Sequence, residues 1–421
     1  MLTPPSLDPL VPEKFRLSNG NTCYCFRNDS LDLVKLDLSF EAGSGHQWMR
    51  SQAHAANQLV CEASTQRDAQ EVAAFFDFRG IVVERMADVC QGTLSFYFLR
   101  RYADELLPLL RELFDSPLVT RRLFESYQAR RRQKIATNLQ QTGNVARNRY
   151  YEILYGPDHP LGYAATVDDV DRLTLDSVAA FMRRHYRLSS AHIVLGGHVD
   201  DALLALVDRH LSPSEDGDAV PHLLLPPPSP LLCGEDTVAM PAAVQSSVRI
   251  GRLLPVRWDD PEYARFLVLN TLLGGYFGSR LMSNLREDKG YTYGIYSQTL
   301  LFRGSIAFFI ASDVAADATS EAVHEIFNEI EVLRQQAVSE EELERVRNYM
   351  MGDFIRSIDG TFEISDRYRH MVFADVDERF TGNFLDAIQH TTSDQLKDIA
   401  RRYLVDLVSV TAGPAADKGQ R

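Results

Sequence analysis

Leu273–Gly294, LGGYFGSRLMSNLREDKGYTYG, holds the densest local signals in this chain of 421 residues. Leu281 and Leu285 lie one helical turn apart and Ser279 stands near the start, so Phe277–Asp288 is expected to be helical. Gly290 suits the left-handed backbone that follows a helix. From Tyr291 the run YTYGIYSQTLLF alternates and predicts a strand. Arg286 then falls in the last helical turn and Tyr293 in the strand. Brought together, a guanidinium and a phenol could donate hydrogen bonds to a peptide carbonyl or to its developing oxyanion. The same two residues also admit a structural reading: an Arg favoured by the negative end of a helix, and a strand Tyr in a core.

Working outward, the chain repeats itself. Thr174–Arg184 (TLDSVAAFMRR) matches Thr392–Arg402 (TSDQLKDIARR) 218 positions later. Each begins with a Thr suited to cap a helix, has Asp two residues on, and leads to an alternating run, AHIVLGG or LVSVTAG. A weaker echo sets Thr120–Glu125 against Ser339–Glu344 at an offset of 219. Two nearly equal offsets indicate an internal duplication. Between the repeats lies SPSEDGDAV and then PPPSP, which cannot continue a helix or a central strand. The expected organisation is therefore an N-terminal domain over 1–211, a linker over 212–231 and a C-terminal domain over 232–421.

Each half mixes both element types. LVKLDLSFEAG, GTLSFYFL, SSVRIGRLL and SIAFFIAS read as strands, while AQEVAAFFDFRG, ADELLPLLRELF and EEELERVRNYMMGDFIRSI read as helices. Strands and helices do not alternate strictly. The fold class expected is α+β: two similar tandem domains, each an antiparallel-rich sheet covered by helices.

A net charge of −14 argues against sequence-independent binding to nucleic acid or to an anionic membrane. No apolar stretch is long enough to span a bilayer, and Met1–Phe15 lacks the basic and apolar regions of a secretory signal. The cysteines (Cys23, Cys25, Cys61, Cys90 and Cys233) are scattered and odd in number, which disfavours a disulfide framework or a zinc knuckle. A reduced, cytoplasmic protein is expected.

Leu273–Gly294 resembles the second-half signature of the insulinase/pitrilysin family of zinc peptidases: a Gly-rich turn, Ser-Arg-Leu, Leu-Arg-Glu, then Gly-x-x-Tyr. FRLSNGNTCYC with LDLSFEAGS looks like the family's opening hairpin, and YGPDHPLGY with TVDDVDRLTLDSVAAFMRRHY like its later first-half segment. The resemblance implies two similar α+β domains, in agreement with the duplication. It also implies that Arg286 and Tyr293 contact substrate beside a metal.

Family peptidases carry HxxEH on a first-half helix, where two His one turn apart bind zinc and the Glu serves as general base. The corresponding segment here is expected at Ala55–Leu59, with Ala55 and Leu59 at the His positions and Gln58 at the Glu position. The later carboxylate ligand would fall near Ala136, in KIATNL. Apolar side chains and an amide supply neither ligands nor base, so no metal is expected in this chain. His46 and His54 lie nearby. A frame shifted to use His54 finds no second His four residues on, and structural roles are expected for both.

Other groupings carry less. His185, His192 and His198 span a helix-to-strand junction, and His324-Glu325 lacks the second His of a zinc helix. GGYFG has too few constraints for a dinucleotide site. Arg121–Arg149 contains eight Lys or Arg against Glu125 alone; it reads as a solvated helix face or as a lining that attracts acidic peptides.

Some members of the family divide the labour between an HxxEH chain and a partner bearing only the Arg/Tyr pair. This sequence resembles the second type: a non-catalytic subunit of a two-subunit zinc peptidase, inactive alone. Zinc is expected in the HxxEH-bearing homologous partner and an unfolded peptide as substrate; a homodimer is possible in isolation. The alternative is a peptide-binding or scaffold protein of the same fold with no role in proteolysis.

Overall fold

The computed structural model describes residues 6–30, 32–213, 220–231 and 234–414. The expected linker, 212–231, lies partly outside these residues, as does Cys233. The first-half strands are β1 (Glu13–Arg16), β2 (Thr22–Arg27), β3 (Leu33–Phe40), β4 (Val82–Ala87), β5 (Gly92–Leu99) and β6 (His192–Gly197). They form one sheet in the order β1-β2-β6-β3-β5-β4. The second half contributes β7 (Glu235–Ala239), β8 (Gln245–Leu254), β9 (Thr292–Phe302), β10 (Ser305–Ala315) and β11 (Val408–Gly413), in the order β7-β11-β8-β10-β9.

Each sheet has one parallel pairing, β2 with β6 and β7 with β11, and is otherwise antiparallel. Leaving β1 aside, the two orders superimpose element for element, so the duplication read from two short helices extends through the topology. The expected α+β class, with two antiparallel-rich sheets under helices, is borne out. The repeated helices are Leu175–His185 and Ser393–Tyr403. Thr174 and Thr392 each accept from the third backbone N–H of the helix and close a reciprocal capping box.

One face of each sheet is covered by helices of its own half. Leu36, Leu38 and Phe40 of β3 pack there with Leu106, Leu110, Phe181 and Val207. In the second half, Ile250, Phe308 and Ile310 pack with Phe266, Ile326, Met351 and Ile399. The opposite faces are covered by exchange. The Thr142–Tyr155 helix of the first half lies on the second sheet, burying Ala146, Tyr150 and Ile153 against Ala307, Phe309, Val410 and Ala412. The Thr361–Phe373 helix of the second half lies on the first sheet, where Ile364 meets Phe26 and Val194. The start residues of the two exchanged helices are 219 apart and their end residues 218 apart, the same offset as the repeat.

Polar contacts fix this crossing. Lys35 and Asp37 point to the face of β3 opposite Leu36 and are almost wholly buried. Lys35 Nζ reaches Asp37 at 3.3 Å and Asp366 at 2.5 Å, and Arg369 reaches Asp366 at 3.0 Å. The linker segment 220–231 straps both halves. Its Ser229 and Leu231 N–H groups donate to Tyr155 and Ile153 carbonyls, and His222 lies 3.1 Å from both Glu41 and Asp375. No helix among the described residues is long and apolar enough to cross a membrane.

Candidate functional site

Arg286 and Tyr293 sit on the segment that joins helix to β9. The Pro261–Asn270 helix widens into a π-helical turn at Thr271–Gly275 and ends at Tyr276, whose φ of −152° leaves the helical region. The expected helix from Phe277 starts later, at Arg280, because Phe277 and Gly278 form a turn. Met282–Asp288 is itself π-helical, and Lys289 N–H donates to the Asn284 carbonyl at 3.1 Å. Wide turns of this kind are rare and concentrate at functional sites. A Cβ on Gly274 would lie 2.8 Å from the Ser297 nitrogen, so only glycine lets the first wide turn lie against β9. Gly290 takes a φ of +66° and closes the helix as expected.

Most polar side chains of the segment are tied to the helices behind it. Arg280 holds Glu342 through two bonds of 2.8 Å, and the Glu342 carboxylate keeps its guanidinium firmly charged. Asn284 donates to Glu329 at 2.7 Å, and Lys289 pairs with Glu325 at 2.7 Å. Arg286 differs: its guanidinium stacks 4.7 Å from the Phe277 ring and has no hydrogen bond or ion pair among the described residues. Phe277 is itself exposed.

Tyr293 is 90% exposed, so the core reading of this side chain does not apply. The physical cause is a β-bulge. Ser312 pairs with Ile295 and Val314 with Thr292, which leaves Tyr293 and Gly294 facing Asp313 alone. Thr292 and Ile295 are both buried, three residues apart, and the simple alternation expected from Tyr291 onward is broken there. A bulge of this sort re-aims a side chain. Thr292 Oγ1 locks it by donating to the Asp313 carbonyl at 2.7 Å and accepting from Gly294 N–H at 3.0 Å. A cavity of about 280 Å³ beneath Tyr293 is lined by Ser247, Arg249, Tyr296 and Asp313.

Ala55 and Leu59 are buried in the first core, and Ala136 is exposed on the Arg121–Asn138 helix. On the Gln52–Leu59 helix the less buried face carries His54 and Gln58, one turn apart, with Asn57 turned inward to the Thr93 carbonyl. His54 Nδ1 lies 2.9 Å from the Tyr127 hydroxyl. Burial, aided by the nearby Arg131 charge, pushes the His54 imidazole down to about 4. The groups on this face are thus His54, Gln58, Tyr127 and Arg131. Zinc needs three deprotonated N, S or O ligands, and one imidazole beside an amide and a guanidinium does not fit it. Among the described residues, no three His, Cys, Asp or Glu side chains are placed to hold a metal ion.

Nothing in the sequence alone singles out Tyr127 and Arg131, although their spacing of four within the basic run puts them on one helix face. That run divides in the fold. Arg132 pairs with Asp171 and Arg149 with Asp236, while Arg131 and Arg147 line a second cavity, of about 470 Å³, beside His54. Arg147 also borders a hollow shared with Gly143, Arg249 and Asp313, which continues to Tyr293. Arg147 thus borders both the cavity beside His54 and the hollow that shares Arg249 and Asp313 with the one under Tyr293.

Residues 172–350 match a family model described as the peptidase M16 inactive domain. An uncharacterized zinc protease of Streptomyces coelicolor is 26% identical over 301 residues, which cover 68% of this chain and 64% of that protein. The non-peptidase homolog YmxG of Helicobacter pylori is 22% identical over 330 residues, 76% of this chain and 74% of the relative. The crystal structure of a peptidase M16 inactive domain from Pseudomonas fluorescens is similar with a TM-score of 0.84. It is 22% identical and covers 97% of this chain and 100% of that one. The resemblance to the insulinase/pitrilysin, or M16, family in its inactive form is borne out, and the fold is that of the inactive domain.

Proposed function

We propose that this inactive M16 homologue is the non-catalytic subunit of a two-subunit zinc peptidase. Its main support is the contrast between two faces of the molecule. Arg286, whose guanidinium has no ion pair among the described residues, and Tyr293, which is 90% exposed, stand ready for an outside group, while the His54 face offers a metal one imidazole beside an amide, a phenol and a guanidinium. In this reading zinc, water and general base belong to an HxxEH-bearing homologous partner. Arg286 and Tyr293 donate hydrogen bonds to the carbonyl of an unfolded peptide, and those bonds strengthen as negative charge develops on its oxygen. Residues tied down at Arg280, Asn284 and Lys289 hold the segment rigid, so little reorganisation is needed when substrate arrives. The described cysteines are buried and unbridged, in keeping with a reducing, cytoplasmic setting.

The test is reconstitution with an HxxEH-bearing homologue from the same organism, assayed on a quenched fluorescent peptide. Cleavage by the mixture and by neither chain alone is expected. Arg286→Ala and Tyr293→Phe should each lower turnover on the order of 100-fold while both chains still co-elute. Unchanged turnover in both variants would reject the clamp and favour a scaffold or peptide-binding role. Stoichiometric zinc and activity in the isolated chain would overturn the proposal altogether.

A further inference from the structure

The cavity beside His54 has a composition that the lost metal does not account for. Its volume of about 470 Å³ lies in the range of small-ligand sites. Tyr151, Leu161, Leu300 and Phe302 make its walls largely apolar, with the first two from the first half and the others from β9. Its charged lining consists of Arg131, Arg147 and Asp88.

Asp88 is already committed. Its carboxylate accepts from Cys90 N–H at 2.7 Å, Gln91 N–H at 2.8 Å and Gln91 Nε2 at 3.0 Å. Arg131 and Arg147 have no ion pair or hydrogen bond among the described residues, and Arg131 Nε is buried without a partner. Ser51, also in the wall, is 5% exposed, has a φ of +68° and leaves its Oγ unpartnered. His54 is neutral at physiological pH and adds no positive charge.

The chain has an overall charge of −14, with 58 acidic residues available. Arg131 and Arg147 nonetheless outnumber Asp88 at one concave site, and Arg131 Nε is buried, where an unpaired charge is costly. A group that restores the balance must be anionic. A carboxylate matches the planar fork of Arg, and the apolar walls suit a hydrocarbon body attached to it. We propose that this cavity is a carboxylate-binding site for the C-terminal residue of a peptide, with Arg131 and Arg147 on the carboxylate and Tyr151, Leu161, Leu300 and Phe302 around the side chain. The site uses this chain alone and does not depend on a catalytic partner.

Isothermal titration of the full chain tests it with one short peptide ending in Phe, made as the free acid and as the C-terminal amide. The free acid should bind, and the amide should bind about tenfold or more weakly, the ratio expected for loss of one charge-assisted contact. Arg131→Gln and Arg147→Gln should each weaken the free acid by about tenfold without weakening the amide. Arg147 is exposed, so its substitution leaves the fold intact, and it carries the test if the Arg131 variant unfolds. Equal affinity for acid and amide, absence of binding by the acid, or indifference to both substitutions would overturn the proposal. Hexanoate binding as tightly as the peptide would assign the pocket to a free carboxylic acid and overturn the peptide.

Discussion

Arg303 of the second half grips Glu41 of the first with a two-pronged contact, Nη1 to Oε2 and Nη2 to Oε1, each at 3.2 Å. Arg303 is 5% exposed, and His46 adds a 2.9 Å bond to the same carboxylate. Burial alone would favour the neutral acid, but the bonds from His46 and Arg303 outweigh it and hold the carboxyl at about 2. Arg303→Met should therefore lower unfolding free energy on the order of 2 kcal/mol, because it removes the guanidinium facing a partly buried carboxylate and leaves only the bonds from His46 and His222. Urea unfolding at neutral pH reads the effect, and an unchanged midpoint would contradict it.

The sign of the acid dependence follows from the same carboxyl. A folded value near 2 lies below the ordinary 4.5, so Glu41 stabilises the fold fully above about 4.5 and loses that contribution as pH falls through about 2. Glu41→Gln should show a shallower decline in stability across that window than the natural chain.

His54 acts in a higher window. Its value near 4 lies below the ordinary 6.5, so the unfolded chain binds the proton more readily. Stability due to this group is complete above about 6.5 and declines toward 4, and His185, pushed down chiefly by burial to about 4, behaves alike. His54→Gln should remove on the order of 2 kcal/mol from the loss seen between pH 7 and pH 4. Thermal melts of both proteins at several pH values provide the comparison.

Gly274→Ala tests the wide turn. The added Cβ would meet backbone and Oγ of Ser297 at 2.8 Å, so the turn or β9 must shift, at about 1–3 kcal/mol. In a reconstituted peptidase the same variant should reduce turnover, since Tyr293 lies on β9 and Arg286 on the helix that follows the displaced turn. Preserved stability and turnover would show that the close approach is unimportant.

Tyr293→Phe and Arg286→Ala should leave the fold nearly untouched, within about 0.5 kcal/mol. Neither side chain has a hydrogen bond or ion pair among the described residues. Denaturant curves that overlay the natural chain are expected.

Much of this architecture is written in local chemistry. Thr174 and Thr392 announce equivalent helices because a capping hydroxyl acts within one turn, and β5 follows its alternating run from Gly92 to Leu99. Long-range choices are less visible. The Thr142–Tyr155 helix has an apolar face, but nothing in that face says it belongs to the other half's sheet. The bulge at Tyr293 depends on the register of β9 against β10, two strands that each read as regular. On the Gln52–Leu59 helix, Ala55 and His54 are neighbours in sequence, and only the packing of the helix against the core decides which of them faces the cavity.

The reciprocal helices also bear on ancestry. A lone ancestral repeat would have had one sheet face bare, and two copies could cover both faces by trading a helix. The helices now exchanged occupy equivalent positions in the two repeats, so the chain reads as such a pair of copies joined end to end. Cutting it at the strap between the halves would not release two independent proteins. Each fragment would take its neighbour's cover and leave its own sheet stripped, and the two would have to find each other again before either could stand.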